Sequence, residues 1–168
     1  MSGPVKFFVP GIPVSAGSKR AFKTKTGKVI MVPASNKQRP WMDSVRWAAI
    51  NAFERQVKIE GPISLEAIFV LPRPKGHYGT GKNLGILKKN APAFCATRPD
   101  LSKLVRAIED SITSIIWRDD SQVVETKASK IYGETPGVHI TIAGWWDAAR
   151  KIDEAISQYR QALGKFYE

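Results

Sequence analysis

Three aspartates carry the strongest chemical signal in this chain: Asp100, and the adjacent pair Asp119 and Asp120. Between them Leu101, Leu104, Val105, Ile108, Ile112 and Ile115 recur at spacings of three and four, the mark of an amphipathic helix with a core-facing stripe. The opposite face of that helix carries Lys103, Arg106, Glu109 and Asp110. Carboxylate oxygens are hard ligands suited to Mg²⁺, and a bound divalent cation can polarise a phosphodiester and activate water. The chain as a whole carries +11, so an acidic island costs self-repulsion unless metal or nucleic-acid chemistry uses it. Taken singly, Asp100 reads as a helix N-terminal acid after Pro99, and Asp119 with Asp120 as a turn into a strand. Taken together, helix and loop are expected to fold both ends toward one pole.

The charge is unevenly placed. Residues 1–99 hold 17 Lys and Arg against 4 acids, whereas residues 100–168 hold 9 against 11. A basic body joined to an acidic half suits a polyanion gripped by one surface and presented to carboxylates on another. The single Cys95 rules out a disulfide framework, and with no His near it reads as structural in a reducing compartment. No apolar run approaches the roughly 20 residues of a membrane span, and no secretory h-region opens the chain, so a cytoplasmic protein without membrane contact is expected. A length of 168 residues fits one domain, spanning 1–168, able to bury roughly 70% of its unfolded surface.

The elements that must position the acids follow from periodicity and breakers. Val5–Val9 reads as a strand closed by Pro10 and Gly11. Residues 15–32 read as a hairpin turned at Thr26-Gly27, decorated by Lys19, Arg20, Lys23, Lys25 and Lys28. Residues 35–57 are expected to be helical, with Trp41, Val45, Ala48, Ala49, Ala52 and Phe53 as its core stripe and Trp47 packing beside it. Ile63–Leu71 reads as a central strand. Residues 73–98 show no sustained period, contain no acid, and read as a flexible basic loop whose Tyr78 can stack on a base; His77 reads as a solvated loop histidine. Gln122–Tyr132 and Val138–Ala143 read as paired hairpin strands, and 145–168 as a closing amphipathic helix through Trp146, Ile152, Ile156 and Leu163. The fold class is therefore α/β of the α+β kind, a small mixed sheet with helices packed on it.

The motif Pro99-Asp100-Leu101 with Leu104, Arg106 and Ala107, followed by Asp119, Asp120, Gln122, Val123 and Val124, resembles the signature of the RusA-like Holliday junction resolvases of phages and prophages. The runs R-P-K-G-H-Y-G-T-G-K-N from Arg73 and S-A-G-S-K-R from Ser15 are similar to longer phage-type members, so the likeness covers Val5 to Ile142. The resemblance implies an intertwined homodimer that nicks two opposed strands of a four-way DNA junction with Mg²⁺, or Mn²⁺ as substitute, inside a bacterial host cell. It also implies roles by position. Asp100 matches the first essential aspartate and Asp120 the third, with Asp119 beside it as a further metal ligand. Arg106 stands where the family often has a catalytic lysine, keeping the charge as a planar fork.

One position departs from the pattern. The family's P-D-x-D-[NK] reads P-D-L-S-K, with Ser102 in place of the second aspartate and Lys103 after it. A hydroxyl can ligate Mg²⁺ or orient water but brings no charge, so metal is expected to bind more weakly. An active variant using Ser102, Glu109 or Asp110 ranks first; a catalytically silent junction-binding protein is the alternative. Lys19, Arg20, Lys75, Tyr78, Lys82, Lys88, Lys89, Arg98, Lys103, Lys127 and Lys130 are the expected DNA contacts.

Overall fold

A computed structural model describes residues 3–17, 19–33, 37–54 and 57–144. The anticipated helix at 145–168 lies outside them. In chain order the elements are β1 (Val5–Pro10), β2 (Lys19–Lys23), β3 (Val29–Pro33), α1 (Gln38–Phe53), β4 (Ile63–Pro72), α2 (Leu101–Ile112), β5 (Val123–Gly133) and β6 (Gly137–Gly144). Strands β1, β6, β4 and β5 form one mixed sheet in that order, and β2 pairs with β3 in a separate ribbon. This is an α+β fold.

β4 alternates buried and half-buried residues because one of its faces meets the helices: Ile63, Leu65, Ala67 and Phe69 enter the core. Val138, Ile140 and Ile142 of β6 and Val5 and Val9 of β1 join them on the same face. Across from these, α1 supplies Trp41, Val45, Ala49 and Phe53, each four residues apart, and α2 supplies Leu104, Ile108 and Ile112. Trp47 lies off that stripe and is 65% exposed, so it does not pack in the core as its neighbours suggested.

The pairing of β5 and β6 differs from the anticipated hairpin. β4 lies between them, parallel to β5 and antiparallel to β6. A parallel pair needs a long crossover, and residues 73–122, with α2 inside them, provide it. The short turn at 134–136 then passes across the end of β4 to start β6. Gly137 is required there, since a Cβ on it would stand 2.5 Å from the Val9 carbonyl oxygen and collide with the Phe8 ring. Gly137→Ala is expected to cost about 2 kcal/mol, the typical scale of overpacking against backbone. Urea unfolding should show a lower midpoint at unchanged m-value; an unchanged midpoint would mean that the backbone does not approach this closely at Gly137.

Candidate active site

α2 lies on the helix-covered face of the sheet and runs back along β5. Its start hangs from Lys130, whose Nζ donates to the Thr97 and Pro99 carbonyls at 2.7 Å each. Its end leads through Trp117, fully buried, to the one-turn helix Asp120–Gln122 that opens β5. Twelve helical residues span about 18 Å. Asp100 and Asp120 therefore stand at opposite ends of α2 within one chain, and the expected convergence on one pole is not what a single chain shows.

Asp100 is the N-cap residue of α2, but its side chain makes no capping bond. Its carboxylate instead meets Lys103 Nζ at 2.8 Å, with both side chains about half exposed. That hydrogen bond and charge, helped by Arg98 and Lys130, hold Asp100 below the ordinary carboxylate range, so it is ionised at neutral pH. Asp100, Lys103, Arg98, Pro99 and Ser15 line an open cleft of about 600 Å³. Ser15 was not anticipated. It arrives because the Ala16 amide donates to the Lys103 carbonyl at 2.8 Å and the Gly17 amide to Gln38 Oε1 at 3.1 Å, pinning this segment between α2 and α1. Lys19 and Arg20 follow directly in β2.

Ser102 is exposed on the first turn of α2, and Arg106, also exposed, follows one turn later on the same face. Glu109 comes next. Burial first, then the charges of Asp120 and Asp110, push its carboxyl above the usual range, with Arg106 opposing. Glu109 thus shares the far end of α2 with Asp120. Asp119 serves the local backbone. Its carboxylate accepts from the Ser121 amide at 2.9 Å, and the Gln122 side chain reaches back to the Asp119 amide in a capping box. The hydrogen bonds from Ser121 hold Asp119 below the usual carboxylate range. Gln122 also donates to the Ile59 and Gly61 carbonyls at 3.0 Å, fixing the start of β5 against the chain entering β4.

The raised Glu109 carboxyl gives a pH signature. Ionised Glu109 disfavours the folded state, fully so above its folded pKa and not at all below its unfolded value. Metal-free Glu109→Gln should therefore melt higher than the parent at pH 7, and this gap should close as pH falls through the ordinary Glu range. A gap that widens on acidification would reverse the assignment.

The anticipated DNA contacts divide on their geometry. Lys75, Lys82, Lys89 and Arg98 are exposed. Lys88 Nζ donates to the Gly76 carbonyl at 2.8 Å, closing a framework in which Tyr78 bridges to Leu87. The segment 73–98 is thus built on its own hydrogen bonds, with short helical turns at Lys75–His77 and Gly81–Asn83. His77 is not the solvated histidine anticipated, since it packs edge-on to Tyr132 with ring centroids 5.0 Å apart. Lys127 lies 3.6 Å from Glu66, and both pair across the sheet face away from α2, while Lys130 pairs with Phe69 on the helix face. Lys127 is therefore remote from the Asp100 cleft, and the Lys130 ammonium is committed to backbone.

The comparison with known proteins meets this geometry at α2 and its two acid ends. A family model described as "Endodeoxyribonuclease RusA" matches residues 10–143, taking in the cleft, α2 and β5. The chain belongs to the RusA endodeoxyribonuclease family. It is also 33% identical over 141 residues to the "Uncharacterized protein YqaN" of Bacillus subtilis (strain 168), covering 82% of this chain and 94% of that protein. RusA membership makes junction-resolving endonuclease chemistry the frame for the site, and a divalent metal the general requirement of that chemistry. No helix among the described residues is long and apolar enough to cross a membrane.

Proposed function

We propose that this RusA-family chain is a Mg²⁺-dependent endonuclease that nicks two opposed strands of a four-way DNA junction as a homodimer. The observation that carries the reading is the Asp100 carboxylate, ionised, half exposed and free of capping duty, in a cleft shared with Arg98, Lys103 and Ser15. Arg98 and Lys103 attract a DNA phosphate into that cleft, and Ser102, exposed in the first turn of α2 two residues after Asp100, offers a neutral oxygen near its rim. Arg106, midway along the same helix face, stabilises negative charge that develops on the phosphate. Asp120, with Glu109 at its side, is the acid of the far end. At the cleft the Asp100 carboxylate is a hard oxygen ligand that suits Mg²⁺, which commonly takes only one or two carboxylates and completes its shell with water and phosphate; Asp120, at the other end of α2, does not share that ion within one chain. When bound, the metal would polarise the phosphodiester and make hydroxide available for in-line attack. Paired nicks require two equivalent sites, which a two-fold homodimer presents most simply.

A second reading, a junction binder without cleavage, is favoured by the uncharged Ser102 and by the separation of Asp100 from Asp120. Incubating the chain with end-labelled four-way and linear DNA, in Mg²⁺, Mn²⁺ or EDTA, separates the two. Metal-dependent cuts confined to the junction support the nuclease; junction-selective binding without cuts supports the binder; neither selectivity nor cuts sinks both.

A further inference from the structure

The geometry points to Lys130 as a positioning residue that hangs the Asp100 turn from the edge of the sheet, acting through two backbone carbonyls rather than on DNA. The proposal rests on the nuclease reading for its consequence in catalysis, but its structural content stands apart from it. Lys130 occupies the outer strand β5 on the helix face, level with Phe69 of β4. Its main chain and its side chain hold the same passing segment. The Lys130 carbonyl accepts from the Cys95 amide at 3.1 Å, and Tyr132 further along donates its amide to the Ala93 carbonyl at 2.8 Å, so residues 93–95 lie along the open edge of β5. From there the chain turns toward α2, and the Lys130 ammonium takes the carbonyls of Thr97 and Pro99, each at 2.7 Å.

Asp100 is the next residue, and its own carbonyl accepts the first helical bond, from the Leu104 amide at 3.1 Å. Only one peptide unit thus separates the anchored Pro99 carbonyl from the backbone that sets where the Asp100 carboxylate stands. An ammonium suits this anchoring role, being a compact charge with three donors, and two short bonds to carbonyls leave it little to offer a phosphate. Displacing a reacting group by about 1 Å can cost on the order of 100-fold in rate.

Lys130→Met keeps the aliphatic stem and removes the donors. Three measurements on the full chain decide its role. Hydrogen exchange across residues 95–104 should quicken about tenfold in the variant, while β4 and β6 keep their protection. The slope of log affinity for a four-way junction against log salt, measured in EDTA, should not change, because no phosphate contact is lost; each lost contact would lower it by about 0.9. Nicking in saturating Mg²⁺ should fall at least tenfold. Lys130→Arg, which retains charge and donors, should recover part of both the protection and the rate, and it carries the test if the Met variant does not fold. A slope reduced by about one with exchange unaltered would make Lys130 a DNA contact and overturn the proposal, as would exchange that rises throughout the sheet. A parent chain that does not nick at all would remove the nuclease reading, while exchange and salt slope would still judge the anchor.

Discussion

Asp100→Asn is expected to reduce metal-dependent junction nicking by about 10²- to 10³-fold while leaving junction affinity equal or slightly higher. The substitution changes charge and little else: Asn matches Asp in shape and is an equally good N-cap residue, so α2 should start where it does now. The loss falls on a carboxylate that makes no capping bond and is, among the described residues, the one that lines the cleft. Losing one charge-stabilising group from a preorganised site typically costs this much. Affinity should not suffer, because Lys103, now held by Asp100 at 2.8 Å, becomes available to a phosphate. Lys103 and its neighbours keep Asp100 ionised well into acid, so its protonation should not shape the pH–rate profile near neutrality. Quantitative nicking and gel-shift titrations on one labelled junction check both halves. Wild-type cutting by the Asn variant would remove Asp100 from the mechanism.

The opposite change is expected at the neighbouring position. Ser102→Asp should lower the Mg²⁺ concentration for half-maximal nicking by about tenfold, because it restores a second formal charge two residues from Asp100. The site accepts an acid readily: Ser102 is exposed in the first turn of α2, where a negative charge meets the positive end of the helix dipole and gains about 0.3–1 kcal/mol. Thermal stability should therefore hold or rise, separating a metal effect from a folding one. A parent that cuts weakly and a variant that cuts at lower Mg²⁺ fit an active enzyme with a thinned site. A silent parent and a cutting variant fit the junction binder instead. If metal dependence is the same in both, position 102 does not touch the metal.

Much of the fold was legible because single-element patterns survive burial. The three-and-four spacing of Leu104, Ile108 and Ile112 located α2, and Gly61-Pro62 and Pro72 bracketed β4 correctly as an interior strand. What failed was long range. Adjacent strands joined by a short turn normally pair, and nothing local to residues 123–144 announces that β4 slips between β5 and β6. Trp47 was misplaced because an aromatic beside a stripe looks like core until the neighbouring helix and sheet define its edge.

The site was legible in its residue types and less so in their grouping. Asp100 and Asp120 stood out through the motif, yet their separation depends on α2 lying flat along β5 with both ends tethered. One signal lies in the spacing itself: Lys127 and Lys130 are three apart on a strand, so alternation puts them on opposite faces and they cannot serve one role together. The anchoring by Lys130 was not readable, because its partners are backbone carbonyls 31 and 33 residues away, and main-chain acceptors leave no trace in residue identity. Ser15 reached the cleft through a backbone bond to Lys103 for the same reason. Glu109 is legible in the sequence only as a substitute ligand, because the repulsion it feels from Asp120 requires the turn from Thr113 to Arg118 to bring the chain back toward the helix.

We propose that two copies of this site, one in each subunit of a homodimer, make coordinated, metal-dependent cuts at a branch point. A supercoiled plasmid carrying an extruded cruciform tests it most directly, since paired nicks within one encounter yield linear DNA whereas isolated nicks yield open circles. Linear product is expected in Mg²⁺, none in EDTA, and strong loss with Asp100→Asn. Retention of the cruciform plasmid in supercoiled form, at concentrations where the chain binds it and with either Mg²⁺ or Mn²⁺ present, would contradict this proposal.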